Sequence, residues 1–331
     1  MGSIRQPPDS PAGTPAPDAV RHVCICVDGS PVSSWTVPHG LAMARAFGAS
    51  LTVLRVLELP RANGTQASPY PLEWEMRRSD ARRDLGRICE EHQSPNLPID
   101  TVLLEGHVIE EIRQWVSGDG ADLAVLCSHG AGGWTKDGLA STAGRLVRDL
   151  SVPTVLIPAS ILDELPKKKV AYERILVPLD ASPQAEHALP LAVRLAREHG
   201  SEMILIHVVP VPELIKPEPL NDEERELERR LIERNTRVAE RYLGRLSDQL
   251  SHEGVRVRTV LTHDDVRLEL MRSIEREQPG LIVLSGHGRS GRTPLRLGSV
   301  ASFLVEHATA PTLIVRPRGG PASHPHDGET T

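Results

Sequence analysis

Two rhythms alternate along the chain. Short apolar runs, rich in Val, Ile and Leu, are separated by longer stretches in which apolar residues return every three or four positions. The first rhythm predicts buried strands and the second amphipathic helices. In the C-terminal half, Arg174 to Leu179 reads as a strand. Ser182 and Pro183 then supply a helix N-cap and a proline at the first helical position. Ala188, Leu191, Ala192, Leu195 and Ala196 mark one helical face that stops at Gly200. Pro190 inside that helix is expected to kink it, as is Pro38 in an earlier helix. Met203 to Val209 follows as a second strand. Asn221 to Leu250 is a long charged helix with Leu227, Leu231, Val238, Tyr242 and Leu246 on one face, its charges reading as a solvated outer surface or a partner surface. Val255 to Leu261, Leu281 to Leu284 and Thr312 to Val315 complete five strands, with helices at Val266 to Arg276 and Ser299 to His307 between them. Strands alternating with helices predict a parallel, doubly wound sheet that binds ligands beyond the carboxyl ends of its strands.

The same order is written twice. Val23 to Val27 followed by Asp28-Gly29-Ser30-Pro31 matches Ile175 to Leu179 followed by Asp180-Ala181-Ser182-Pro183, an offset of 152. That offset also pairs Pro38 with Pro190, Gly48 with Gly200, and Leu51 to Val56 with Met203 to Val208. Later, Ser128-His129-Gly130 pairs with Gly286-His287-Gly288, and Val152-Pro153-Thr154 with Ala310-Pro311-Thr312, at an offset of 158. The repeat implies two domains, residues 20–158 and 172–317, joined by a linker at 159–171 that contains Pro166 and Lys167-Lys168-Lys169. Residues 1–19 and 318–331 have almost no apolar content and are expected to be disordered tails. Strand five of each unit, Thr154 to Ile157 and Thr312 to Val315, is a natural sheet edge for pairing, within one chain or between chains.

Composition narrows the partners. Across 331 residues the formal charge is −6 and the pI about 6.2, which argues against nucleic acid as a partner. No apolar run approaches the ~18 residues of a membrane span, and the N-terminus lacks the apolar core of a secretory signal. A cytoplasmic location away from the membrane is therefore expected. Aromatics make up only 3%, so the cores must rest on Val, Leu, Ile and Ala. Three of the four cysteines (Cys24, Cys26, Cys89 and Cys127) lie in apolar surroundings, as reduced thiols do. His22, Cys24 and Cys26 alternate and would share one strand face. That is a fragment of a metal site or, on the simpler reading, core packing; no structural metal is expected.

Candidate chemistry gathers at Leu281 to Val300. A buried run breaks into a loop of small and basic residues, and Gly298-Ser299 then opens a helix. Glycines there let backbone N–H groups approach a phosphate, and the helix dipole favours an anion; a connection with no ligand is the alternative. Arg289, Arg292 and Arg296 add charge, either toward phosphate or merely on an exposed loop. Asp28 and Asp180, just past the first strand of each unit, could accept from a ribose hydroxyl or simply stabilise the turn before Ser-Pro. His287 and His129 can act as acid or base, but no carboxylate or nucleophile stands at a fixed spacing to complete a catalytic set, so a turn role suits them better.

Strand, Gly-x-x-Gly, nine residues and Gly-Ser, duplicated and each with a post-strand aspartate, resembles the universal stress protein family in its tandem form. The pieces G-H-G-R-S-G, L-G-S-V, D-x-S-P and A-P-T-L-I-V carry the likeness over roughly residues 20 to 317. The resemblance implies two five-stranded α/β domains, Rossmann-like and of the nucleotide-binding α-hydrolase type, packed as an internal pseudo-dimer that could pair further as a homodimer. In one subclass it implies ATP or another adenine nucleotide bound without strong catalysis, with magnesium a candidate companion. The site would comprise Pro178, Asp180 near the ribose and the backbone of Val208 near the adenine. Ser285, Gly286, His287, Gly288, Arg289, Gly298, Ser299 and the amide of Val300 would lie around the phosphates. Asp28, Gly130 and Ser141 are the first unit's weaker counterparts. Two departures matter. The first glycine of the pattern is Ser285 in the second unit. In the first unit Cys127, Ala140, Ala131 and Trp134 replace cradle and charged positions, so the second unit is expected to bind and the first to support. The alternative is an interaction module, with neither cradle filled, that works through an unknown protein partner.

Overall fold

The computed structural model describes residues 20–30, 36–59, 61–62, 65–66, 71–92, 94–128, 141–158, 170–211, 221–288 and 297–316. Both tails, nearly all of the linker, and the candidate positions Arg289, Arg292, Arg296, His129, Gly130, Ala131, Trp134 and Ala140 lie outside these residues.

In the first unit the elements run β1 (His22–Val27), α1 (Thr36–Phe47), β2 (Ser50–Glu58), a small hairpin of β3 (Arg61–Ala62) and β4 (Thr65–Gln66), α2 (Pro71–His92), β5 (Ile99–Gly106), α3 (Val108–Trp115), β6 (Leu123–Cys127), α4 (Thr142–Asp149) and β7 (Thr154–Ile157). The second continues with β8 (Arg174–Pro178), α5 (Pro183–Glu186), α6 (Leu189–His199), β9 (Glu202–Val209), α7 (Asp222–His252), β10 (Arg256–His263), α8 (Val266–Glu277), β11 (Leu281–Ser285), α9 (Ser299–His307) and β12 (Thr312–Val315).

Ten strands form one sheet in the order β10-β9-β8-β11-β12-β7-β6-β1-β2-β5. Within each unit every neighbouring pair is parallel. The units meet at β7 and β12, which pair antiparallel with Val155 opposite Leu313. Strand five of each unit therefore pairs within the chain. Alternation along the strands sends Val23, Ile25, Val177 and Val283 to a core beneath α1, α2, α6 and α7, and Cys24, Leu176 and Ile282 to a second core beneath α3, α4, α8 and α9.

Two expectations need correction. Pro190 does not kink a continuous helix. The chain ends α5 at Glu186 and restarts at Leu189, so Pro190 falls in the first turn of α6, where its missing N–H leaves no hydrogen bond unmade. Ser182 does cap α5, accepting from the Ala185 amide, and Gly200 ends α6 with φ of 64°. The apolar stripe of α7 is also displaced. Its buried residues are Ala239, Leu243, Leu246 and Leu250, whereas Leu227 is 68% exposed. A helix of 31 residues spans roughly 46 Å, but its neighbour β9, of 8 residues, only about 26 Å, so the first turns of α7 overhang the sheet. Of the cysteines, only Cys24 is fully buried; the other three are half-buried, and all four are free thiols.

Candidate functional site

A cavity of about 310 Å³ opens at the carboxyl ends of β8, β9 and β11. That volume lies at the lower end of small-molecule sites, on the order of 300 to 1,000 Å³. Pro178, Asp180 and Val208 line it on one side. Ser285, Gly286, His287, Gly288, Gly298, Ser299 and Val300 line it on the other. Every described residue of the second-unit set thus meets in one place, and Arg289 alone of that set lies outside the described residues.

The loops are held from below. Asp180 accepts from the amide of Ser182 at 3.0 Å and from its hydroxyl at 2.5 Å, which is the turn role. Its other oxygen lies 2.5 Å from where a Cβ on Gly288 would sit, so a larger residue at 288 would have to displace the Asp180 carboxylate. Gly286 donates to Val315 O at 2.7 Å, and Gly298 donates to Gly286 O at 2.8 Å, tying the two arms of the loop together. A Cβ on Gly298 would meet Gly286 O at 3.5 Å and Gly288 N at 3.7 Å, so the space beside it is ordinary for alanine. Ser285, the departure from the glycine pattern, ends β11 without positive φ, and its hydroxyl accepts from the His287 amide at 3.4 Å. Serine is compatible with that backbone.

The helix that opens on the cavity is uncapped. Gly298 is the N-cap of α9 and has no side chain to satisfy the first-turn amides, and the first turn carries no acidic residue. Among the described residues His287 Nε2 is buried with no hydrogen-bond partner, a polar atom left unpaired beside the same loop. On the far wall, the carbonyl of Ile206 accepts from Leu179, the residue after β8. Peptide groups alternate sides along a strand, so the N–H and C=O of Val208 point the same way, past the end of β8 and into the cavity. His207 donates from Nδ1 to Leu179 O at 2.8 Å.

Helices α7 and α8 build a wall that the sequence pattern did not reveal. Asn235, Val238 and Ala239 come from the middle of α7, and Val266 and Leu270 from α8. The signal that could have found them is the break in charge at Asn235 and Val238-Ala239 inside an otherwise charged helix.

The first unit is built differently at the same positions. Asp28 holds the equivalent turn, accepting from the Ser30 amide at 2.9 Å and hydroxyl at 2.6 Å. The counterpart of His207 is Arg55, whose guanidinium lies over Gly29 and pairs with Asp84 at 3.0 Å. Helix α4 starts one position later in the repeat than α9, so Ser141 is its N-cap and accepts from the Gly144 amide at 3.1 Å. There the serine satisfies its own helix.

The profile of the Universal stress protein family matches residues 19–158 and again 171–316. The chain belongs to the universal stress protein family. A universal stress protein of Mycobacterium tuberculosis is 26% identical over 302 residues, spanning 89% of this chain and 96% of its own length. One from Methanocaldococcus jannaschii is 26% identical over 156 residues, 44% of this chain but 96% of its own, the extent of a single unit. The crystal structure of a universal stress protein from Archaeoglobus fulgidus superposes with a TM-score of 0.63 at 15% identity, covering 91% of this chain and 97% of the other, a likeness of fold. Among the described residues, no helix is long and apolar enough to cross a membrane, and no group of three or more His, Cys, Asp or Glu residues could hold a metal ion.

Proposed function

We propose that this universal stress protein binds ATP or another adenine nucleotide in the second unit and acts as a stress-response regulator, with little or no catalysis. The observation that carries the reading is the uncapped N-terminus of α9 facing a cavity whose opposite wall presents the backbone of Val208 and whose floor holds Asp180. The residues fit the group. An apolar wall of Val208, Val238, Ala239, Val266 and Leu270 would take the adenine, the Val208 peptide its edge, Asp180 the ribose, and the amides of Ser299 and Val300 the phosphates. The unpaired His287 Nε2 would gain a partner. The first unit, with a self-capped α4 and Arg55 over its turn, would support rather than bind. Bound nucleotide would then shift the balance between forms that differ in affinity for a protein partner.

Calorimetric titration of the full chain with ATP and AMP tests this. One saturable site is expected, weakened at least tenfold by Gly298→Leu, whose side chain enters the space between the loop arms, and little by Gly298→Ala. Absence of saturable binding, or equal binding by Gly298→Leu, would favour the interaction module instead.

A further inference from the structure

We propose that Cys24 and Cys26 form a two-thiolate site for a soft, thiophilic monovalent cation in the first unit. Alternation along β1 puts both thiols on one face of the strand, and their Sγ atoms lie 3.9 Å apart. Cys24 is fully buried, while Cys26 is partly exposed near the carboxyl end of the strand. Its repeat counterpart, Pro178, lines the cavity of the second unit, so Cys26 stands at the cleft end of the first unit's sheet, where an ion can arrive.

The ligand count selects the ion. His22 shares the face, but its Nε2 is already paired with Thr52 Oγ1 at 2.8 Å and its ring packs edge-on against Trp115. Among the described residues no group of three His, Cys, Asp or Glu ligands forms, and two thiolates do not suit zinc, which takes four ligands; they suit a cation content with low coordination, of the copper(I) or silver(I) kind. Metal–thiolate bonds of about 2.3 Å each would span ~4.6 Å when straight and 3.9 Å when bent, so a small rotation of the half-exposed Cys26 covers the difference. Burial, reinforced by the neighbouring Cys26, holds the Cys24 thiol well above the ordinary range. Binding exchanges both S–H protons for two sulfur–metal bonds, releasing two protons per ion and leaving a bis-thiolate carrying one negative charge. Nothing is oxidised.

The test uses the full reduced chain without oxygen. Copper(I) is titrated against a competing chromogenic chelator, and silver(I), which does not change oxidation state, is followed by native mass spectrometry. One ion per chain is expected. Cys24→Ala and Cys26→Ala should each weaken binding at least 100-fold, whereas Cys89→Ala and Cys127→Ala should not change it. Cys26 is half-exposed, so its variant remains informative if Cys24→Ala folds poorly. No binding by the wild-type chain, binding that survives Cys26→Ala, or binding that follows Cys127 or Cys89 would overturn the proposal. The outcome is independent of whether the second unit takes a nucleotide.

Discussion

At the scale of single residues, Asp180 fills the turn role and, on the proposed reading, would meet the ribose as well. One oxygen closes the turn onto Ser182, and the other lies against Gly288 at the cleft floor. The two roles separate on substitution. Asp180→Asn keeps an oxygen for Ser182, so the melting temperature should stay within about 2 °C of wild type. It removes the charge a ribose hydroxyl would meet, and ATP affinity should fall about tenfold, the size of one charge-assisted hydrogen bond. Asp180→Ala should lose the turn as well and cost about 1 kcal/mol of stability in denaturant unfolding, as an unmade cap does. Unchanged ATP affinity in Asp180→Asn would make the aspartate a turn residue alone. Ala181, next to it, holds φ of 59°, where the first unit has Gly29 at 83°. A left-handed alanine is strained by about 1 kcal/mol or more, and the second unit retains it at the cavity lining.

Two helices of the same repeat show how a one-residue shift changes an element's use. Helix α4 has Ser141 outside its first turn and bonds its own amide; α9 has Gly298 outside and Ser299 within, leaving its amides to the cleft. Gly298→Ser should give α9 the cap that α4 has, because the backbone there has room for a Cβ. Stability without ligand should rise by a few tenths of a kcal/mol while ATP binding weakens several-fold, read as a melting temperature that goes up alone and goes up less on adding ATP. A rise in both would mean the helix end takes no part in binding. The strands, the Gly-Ser opening and the D-x-S-P turn were legible because each depends on neighbours in sequence. The wall from Asn235, Val238 and Ala239 was not, because which side of α7 meets the sheet depends on where a long helix overhangs. Nor could the spacing alone show Arg55 lying over Gly29, since that contact depends on the long side chain reaching from β2.

Over the whole molecule, the repeat showed that strand five would pair but left open with what. The β7–β12 seam answers that, and side chains fasten it. Arg316 runs from the end of β12, beside Gly286, to the Val147 carbonyl of α4 at 2.9 Å, and Arg194 of α6 donates to Ala46 O of α1 at 2.8 Å. The third fastening titrates. His39 of α1, buried, shares a 2.9 Å hydrogen bond with the hydroxyl of Tyr172, and its Nε2 has no partner among the described residues. Burial lowers the His39 pKa from 6.5 to about 4, so the folded chain keeps the ring neutral while the unfolded chain takes up a proton. Since the unfolded state binds more protons in that interval, stability present above pH 6.5 is lost as pH falls toward about 4, by up to roughly 3 kcal/mol. The repeat supplies the control, because the counterparts of His39 and Tyr172 are Leu191 and Val20. In urea unfolding from pH 7 to 4, a His39→Leu, Tyr172→Phe double variant should lose stability less steeply than wild type, the difference growing below pH 6.5. Parallel pH curves for the two proteins would show that the buried imidazole does not couple the joined units to acid, leaving that slope to the carboxylates.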